Sequence, residues 1–340
     1  MERLNCSSGP QNFQNQETFI ILAVSMTTTA FFLNFLQVTV IIHQKLYKSS
    51  KNIVLLNFSI CGQLTSAIDL WYIYTAMKWT KSDEVDPLDD LYLCLLLPSG
   101  LLLLSFFTFW GLYVARVIQQ YIVVLKHRCF TNFHHEISVT MALIASSWTE
   151  GIVLALLPLI GWNSWNGLCH VPTVWESSFS LTFGLLYILH LLVITAMFVD
   201  MLVLNLKKRR TIQPYPNENT VSFNDISIQY QHPPTLYSRE NFTLLLEVII
   251  FILFTLPFLI YFVYLHIHPI SDPCLIFPKH HITNMWMSML LILFAAVIPI
   301  FHMCSQRDLT RSYIAFIQSL VQNSASTQTQ ETEENQHQMH

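Results

Sequence analysis

Charged side chains are scarce in this chain of 340 residues: Asp, Glu, Lys and Arg make up 11% of it, and hydrophobic residues 53%. A soluble domain would carry about 25% charged residues. The sequence also has no cluster of metal ligands, no nucleophile and base at a useful spacing, and nothing that supports nucleic-acid binding. No internal repeat suggests a transporter built from inverted halves. We therefore expect a membrane protein that is not an enzyme and needs no metal or other cofactor.

Long apolar stretches make up most of the chain. They cover residues 18–42, 52–77, 91–125, 137–160, 178–206, 242–265 and 282–303. Each is long enough to cross a hydrocarbon core, which takes about 20 helical residues. Because lipid offers no hydrogen-bond partners to the backbone, such segments should be helical. We therefore expect an all-α fold with seven transmembrane helices.

The basic loop residues are distributed unevenly across this arrangement. Twelve lie on the side of the C-terminal tail: Lys45, Lys48, Lys51, Lys126, Arg128, Lys207, Lys208, Arg209, Arg210, Arg239, Arg307 and Arg311. Four lie on the other side: Arg3, Lys78, Lys81 and Lys279. The positive-inside rule then predicts an extracellular N-terminus and a cytosolic tail, in the plasma membrane. Asn5, in Asn5-Cys6-Ser7, is a candidate glycosylation acceptor on the outer side.

Cysteines on the predicted outer side suggest disulfide bonds. Cys94 opens the third apolar stretch, and Cys169 lies between the fourth and fifth. Both face an oxidising compartment, so we expect a bond between them. Cys6 and Cys274 are outside as well, and they form either a second bond or two free thiols.

Several residues stand in the order and at the spacing of a known family. They are Asn34, Leu55-Leu56-Asn57-Phe58-Ser59-Ile60, the pair Cys94 and Cys169, Trp148, Pro158, Pro257 and Pro299. Over about residues 30–320 the chain resembles the rhodopsin-like (class A) G-protein-coupled receptors. The resemblance implies a seven-transmembrane helix bundle with a short amphipathic eighth helix. It divides the chain into an extracellular N-terminus (1–17), a seven-transmembrane domain (18–304), amphipathic helix 8 (305–320) and a disordered cytosolic tail (321–340).

The chain departs from the family's pattern at the switch positions. Gln119-Gln120-Tyr121 replaces Asp-Arg-Tyr, and His302, after Pro299, replaces the tyrosine of Asn-Pro-x-x-Tyr. The segment 254–257, which ends at Pro257, lacks the aromatic toggle of the family. At the family's sodium site the chain has Gly62, Phe109, Phe294 and Ile298, so we expect no sodium binding.

Ionisable residues inside the apolar stretches suggest a replacement for the missing switches, because charges in a membrane are costly and need a partner. Arg116 lies one helical turn before Gln120 and on the same face. The resemblance points Glu247 and His302 into the bundle. We expect Arg116 to pair with Glu247, with His302 nearby. The alternatives for Arg116 are a side chain that reaches the inner headgroups, or a pair with Asp200.

The resemblance also places a ligand pocket in the outer half of the bundle. Its residues would be Asp69, Leu102, Phe106, His190, Phe258, Tyr261 and Ser288. Leu102 stands where amine receptors have an aspartate, so we expect a lipid-like or small apolar ligand rather than an amine. The alternative is that the aromatic residues only fill the core.

Two functions follow from these expectations. The first is an orphan class A receptor, either ligand-responsive or constitutively active, that couples to a heterotrimeric G protein at its cytosolic face. The second is a receptor-fold protein that no longer signals and serves as a trafficking or heteromer partner. In both cases membrane lipids surround the bundle.

Overall fold

The computed structural model describes residues 13–79, 100–129, 133–163, 175–211, 234–267, 273–319 and 321–322. The helices are α1 (Phe13–His43), α2 (Ser50–Trp79), α3 (Leu101–Cys129), α4 (Phe133–Leu156), α5 (Ser177–Thr211), α6 (Pro234–Ile267) and α7 (Pro273–Ser305). A further helix, α8, covers Arg307–Ser319. These ranges contain no strand, and a lone antiparallel bridge joins Asn163 to Trp175. The expected all-α fold is confirmed for this part of the chain.

Six of these helices contain segments long and apolar enough to cross a membrane. The segments are Ile20–His43, Ser50–Trp71, Leu101–Ile122, Glu136–Leu156, Ser178–Leu204 and Asn241–Tyr261. A further candidate joins Met289–Ser305 of α7 to α8, and these two segments meet at an angle of 98°. Large apolar side chains remain exposed, as on α5, where Leu181 and Leu192 point outward. Exposed apolar surface on this scale suits lipid rather than water, so the fold is consistent with a multi-pass membrane protein.

The end of α4 differs from the sequence-based expectation of residue 160. The helix ends at Leu156 and residues 157–161 form a turn. Pro158 lacks an N–H and disfavours helical backbone at the residue before it. Gly161 then adopts a φ of +122°, which an L-residue with a side chain rarely adopts. Pro257, by contrast, lies inside α6 without ending it.

Helix α3 is the centre of the fold. Its spanning segment is 72% buried, against 17% for that of α5. Glycines allow α4 to approach it closely. A Cβ atom at Gly111 would lie 2.6 Å from Ser147 Cβ, and one at Gly151 would lie 2.9 Å from the carbonyl oxygen of Leu104. These short distances leave no room for a side chain at either glycine.

Helix α8 returns along the end of α1 and α2. Its side chains Leu309, Tyr313 and Phe316 are buried against Val40 and Ile41 of α1, together with Leu55 of α2. Burial raises the pKa of the Tyr313 phenol, because the low-polarity contact disfavours its charged form. We call the end of the bundle at which α7 meets α8 the tail-side end.

Candidate functional site

A group of polar side chains is buried between four helices near the tail-side end. Gln37 belongs to α1, Tyr113 and Arg116 to α3, Glu247 to α6 and His302 to α7. Arg116 is 7% exposed and the other four are 0% exposed. We call these five residues the buried polar cluster. Charged groups held in a membrane interior are candidates for a functional role.

His302 links two other helices of the cluster. Its Nε2 atom lies 3.6 Å from Glu247 Oε1, and its Nδ1 atom lies 3.4 Å from Gln37 Nε2. With the Gln37 amide assigned in this orientation, Nε2 donates to Nδ1, and the ring proton then lies on His302 Nε2. That proton faces the carboxylate. His302 therefore joins α7 to both α1 and α6.

Arg116 and Glu247 both lie inside the bundle, as the sequence analysis expected of them. The ion-pair contact of Glu247 is with His302, and for the expected partners Arg116 and Glu247 the structure shows no direct ion pair. Arg116 therefore belongs to the same buried polar cluster as Glu247 without forming an ion pair with it.

Three consecutive residues of α3, Gln119, Gln120 and Tyr121, connect this helix to four neighbouring helices. Gln119 Nε2 donates to Ser50 Oγ at 2.6 Å, and Ser50 Oγ donates to Glu136 Oε1 of α4 at 2.6 Å. Gln119 is therefore tied to α2 directly and to α4 through Ser50.

The next two residues reach the helices on the other side of α3. Gln120 Nε2 donates to Asn241 Oδ1 of α6 at 2.9 Å. Tyr121 OH donates to Asp200 Oδ2 of α5 at 2.5 Å. Asp200 is thus a partner of Tyr121 and not of Arg116. Sequence reasoning missed Ser50, Glu136 and Asn241, because uncharged or loop-end residues on distant helices follow no local pattern that identifies them.

An aromatic layer lies between the buried polar cluster and the other end of the bundle. It consists of Phe106, Phe107, Phe109, Trp110, Phe183, Tyr187, Phe251, Phe258 and Phe294, all of which are buried. Phe106 is 5.1 Å from Phe183 and 5.7 Å from Phe258, measured between ring centroids. Two residues expected in a ligand pocket, Phe106 and Phe258, are thus in contact with each other.

The other expected pocket residues differ in their exposure. Tyr261 is buried, whereas Leu102 and Asp69 are partly exposed. The side chain of Ser288 is outside the described part, although its backbone belongs to α7. Cys94, Cys169 and Asn5 also lie outside the described residues. The two prolines are placed as helix residues, Pro257 in α6 and Pro299 in α7.

His190 has a partner that the sequence analysis did not identify. Its Nε2 atom lies 3.2 Å from Glu150 Oε1 of α4, with side chains that are 13% and 28% exposed. The Nδ1 atom lies 2.7 Å from the carbonyl oxygen of Leu186. A second His–Glu pair therefore joins α4 to α5. The spacing of the two residues in the chain gives no sign that they meet.

Apolar side chains occupy the positions that the sequence resemblance compares with a sodium site. Phe109 packs edge-on against Phe294 with centroids 5.3 Å apart, and Ile298 is buried. Gly62 lies against Asn34, where a Cβ atom would come within 2.6 Å of Asn34 Oδ1. Asn34 Nδ2 donates to the carbonyl oxygens of Ala30 and Ala295, both at 2.8 Å.

Taken together, the polar contacts of this site hold helices against each other. Charged groups join α6 to α7, and neutral hydrogen bonds join α3 to α2 and α6. Such contacts can stabilise one arrangement of the helices and break when the helices separate. A scan against models of known protein families gives no match for this chain, and a search among curated proteins gives none either.

Proposed function

We propose that this chain is a seven-helix receptor of the rhodopsin-like type, with its N-terminus outside the plasma membrane. Movement of α6 away from α3 and α7 is its signalling step, and a heterotrimeric G protein is its partner at the tail-side end. The observation that carries this proposal is the pair of contacts made by α6, Gln120 with Asn241 and Glu247 with His302.

The strengths of these contacts suit a switch. A neutral hydrogen bond contributes about 0.5–1.5 kcal/mol, and a hydrogen bond to a charged group contributes about 1.5–3 kcal/mol. Contacts of this strength favour the closed arrangement by a few kcal/mol. A ligand or partner with a matching preference for the open arrangement can shift such an equilibrium.

The aromatic layer favours either an apolar ligand or activity without a ligand. Rings such as Phe106 and Phe258 offer an apolar surface to a lipid-like or small apolar ligand. If these rings only pack the core, the receptor is constitutively active.

A second function is favoured by the hydrogen bond of Gln120. In this chain an uncharged amide stands at the family's arginine position, and its Nε2 atom is already bonded to α6. A protein held closed in this way serves as a trafficking or heteromer partner that does not signal.

A G-protein recruitment assay on the unliganded protein separates the two functions. Surface expression is measured in parallel, and Asn241→Ala is compared with Ser146→Ala, an exposed residue of α4. We expect the G protein to be recruited by the parent chain, or by Asn241→Ala at equal surface expression. Ser146→Ala should recruit the G protein to the same extent as the parent chain. Absence of recruitment by the parent, Asn241→Ala and Glu247→Gln would reject the receptor proposal and support the non-signalling partner.

A further inference from the structure

Many polar atoms of the buried polar cluster have no hydrogen-bond partner within the protein. They are Gln37 Oε1, Tyr113 OH, Arg116 Nε, Glu247 Oε1, Glu247 Oε2 and His302 Nε2. These atoms come from α1, α3, α6 and α7, the four helices that surround the cluster. Buried polar groups in proteins are nearly always satisfied by a protein atom or by ordered water.

The chemistry of these atoms selects the species that can satisfy them. Tyr113 OH, Arg116 Nε and His302 Nε2 are donors, whereas Gln37 Oε1 and the two oxygens of Glu247 are acceptors. A metal cation would suit the acceptors but would be repelled by Arg116. An anion would suit the donors but would be repelled by Glu247. Water both donates and accepts, and it needs only two to four polar partners.

We propose that the buried polar cluster binds a small group of ordered water molecules between α1, α3, α6 and α7. These waters connect Glu247 and His302 to Tyr113 and Arg116. They supply the link between Arg116 and Glu247 that no direct ion pair provides. The inference concerns hydration of the bundle and does not depend on receptor signalling.

The neighbouring aromatic layer provides an internal comparison. Phe107 and Phe258 are as buried as Tyr113, at 0% exposure. Phe107 packs against Phe106 and Phe183, with centroid distances of 5.7 and 5.2 Å. Bulk solvent does not reach the rings of Tyr113, Phe107 and Phe258. A difference between these three rings in their contact with water therefore reports bound water alone.

Hydroxyl-radical footprinting by X-ray radiolysis tests the proposal on the full chain in lipid nanodiscs. Radicals formed from bound water oxidise the nearest side chains, and mass spectrometry locates the modified residue. Tyr47, which is 42% exposed, serves as the dose reference. After correction for intrinsic reactivity, we expect Tyr113 to be oxidised several-fold faster than Phe107 and Phe258.

A pair of double variants identifies the residues that hold the water. Glu247→Leu with His302→Leu should reduce the oxidation of Tyr113 to the level of Phe107. Glu150→Leu with His190→Leu removes the other His–Glu pair and should leave the oxidation of Tyr113 unchanged. Equal rates for the three rings in the parent protein, whether slow or fast, would overturn the proposal. That comparison needs no variant, so it decides the question even if a variant fails to fold.

Discussion

Gln120 of α3 and Asn241 of α6 are joined by a hydrogen bond from Nε2 to Oδ1 of 2.9 Å. Both partners are neutral amides, so the bond carries no net charge. It ties the same two helices that the sequence analysis expected an Arg116–Glu247 ion pair to hold. The structure therefore has a neutral contact between α3 and α6, and a contact of the Glu247 carboxylate with His302 between α6 and α7.

We expect Asn241→Ala to weaken the contact between α3 and α6 by about 0.5–1.5 kcal/mol, because one neutral hydrogen bond is lost. Under the proposed function, basal G-protein recruitment should rise. Gln120→Ala should have a similar effect, and the double variant should add little to either single change, since both remove the same bond. If the effects of the two changes on recruitment were additive, Gln120 and Asn241 would not be partners in one hydrogen bond.

Glu247→Gln should destabilise the protein by about 1.5–3 kcal/mol, since it replaces the charged acceptor that faces His302 with a neutral amide. Unfolding free energies in detergent micelles, measured as double-mutant cycles, would identify the partner. The coupling of Glu247 to His302 should exceed its coupling to Arg116, because His302 Nε2 lies 3.6 Å from the carboxylate and Arg116 forms no ion pair with it. A larger coupling to Arg116 would contradict the observed contact.

Gly111→Ala should destabilise the protein by about 1–3 kcal/mol through overpacking between α3 and α4. The new Cβ atom would lie 2.8 Å from Ser147 Cα, a backbone atom that cannot rotate away. Gly184→Ala in α5 is the matched control, since its nearest neighbour is Leu259 Cδ1 at 4.0 Å. Thermal unfolding should show a lower midpoint for Gly111→Ala and an unchanged or higher one for Gly184→Ala. Similar midpoints for both variants would argue against the close approach of α3 and α4.

Replacement of sodium by a larger organic cation at constant ionic strength should leave the melting temperature and any basal recruitment unchanged. Sodium prefers oxygen ligands, and the side chains of Phe109, Phe294 and Ile298 offer none. A clear dependence on sodium would show that these positions do not correspond to the family's sodium site.

Epitope tags at the two ends of the chain test the expected orientation. On intact cells an antibody should reach the N-terminal tag, and the C-terminal tag should require permeabilised cells. The reason is the excess of basic loop residues on the side of the tail. Access to both tags, or to neither, would reject an odd number of membrane crossings.

Much of the fold could be predicted from the sequence because apolar runs of membrane-spanning length have few other structures open to them. The bounds of α2 and α5 agree with the expected stretches to within a few residues. The end of α4 was placed too late, since the hydrophobic run continues through Pro158 although the helix does not.

The site was harder to predict, because helix periodicity indicates which face a residue occupies but not which residue it meets. Glu247 was expected to face inward, and it does, but its ion-pair contact is with His302 rather than with Arg116. The contact of the His190 ring with Glu150 was likewise not predicted from the sequence. Such choices depend on the packing of whole helices, which a single sequence does not encode locally.

The aromatic layer determines on which side the buried charges can find partners. Phe251 lies between Tyr113 and Phe294, with centroid distances of 4.7 and 5.0 Å, and Trp110 lies 4.6 Å from Phe251. The rings of Phe251 and Phe294 carry no hydrogen-bonding group, so they offer no partner to Arg116 or Glu247. The polar contacts of these two charged side chains are therefore left to the neighbouring polar residues of the cluster.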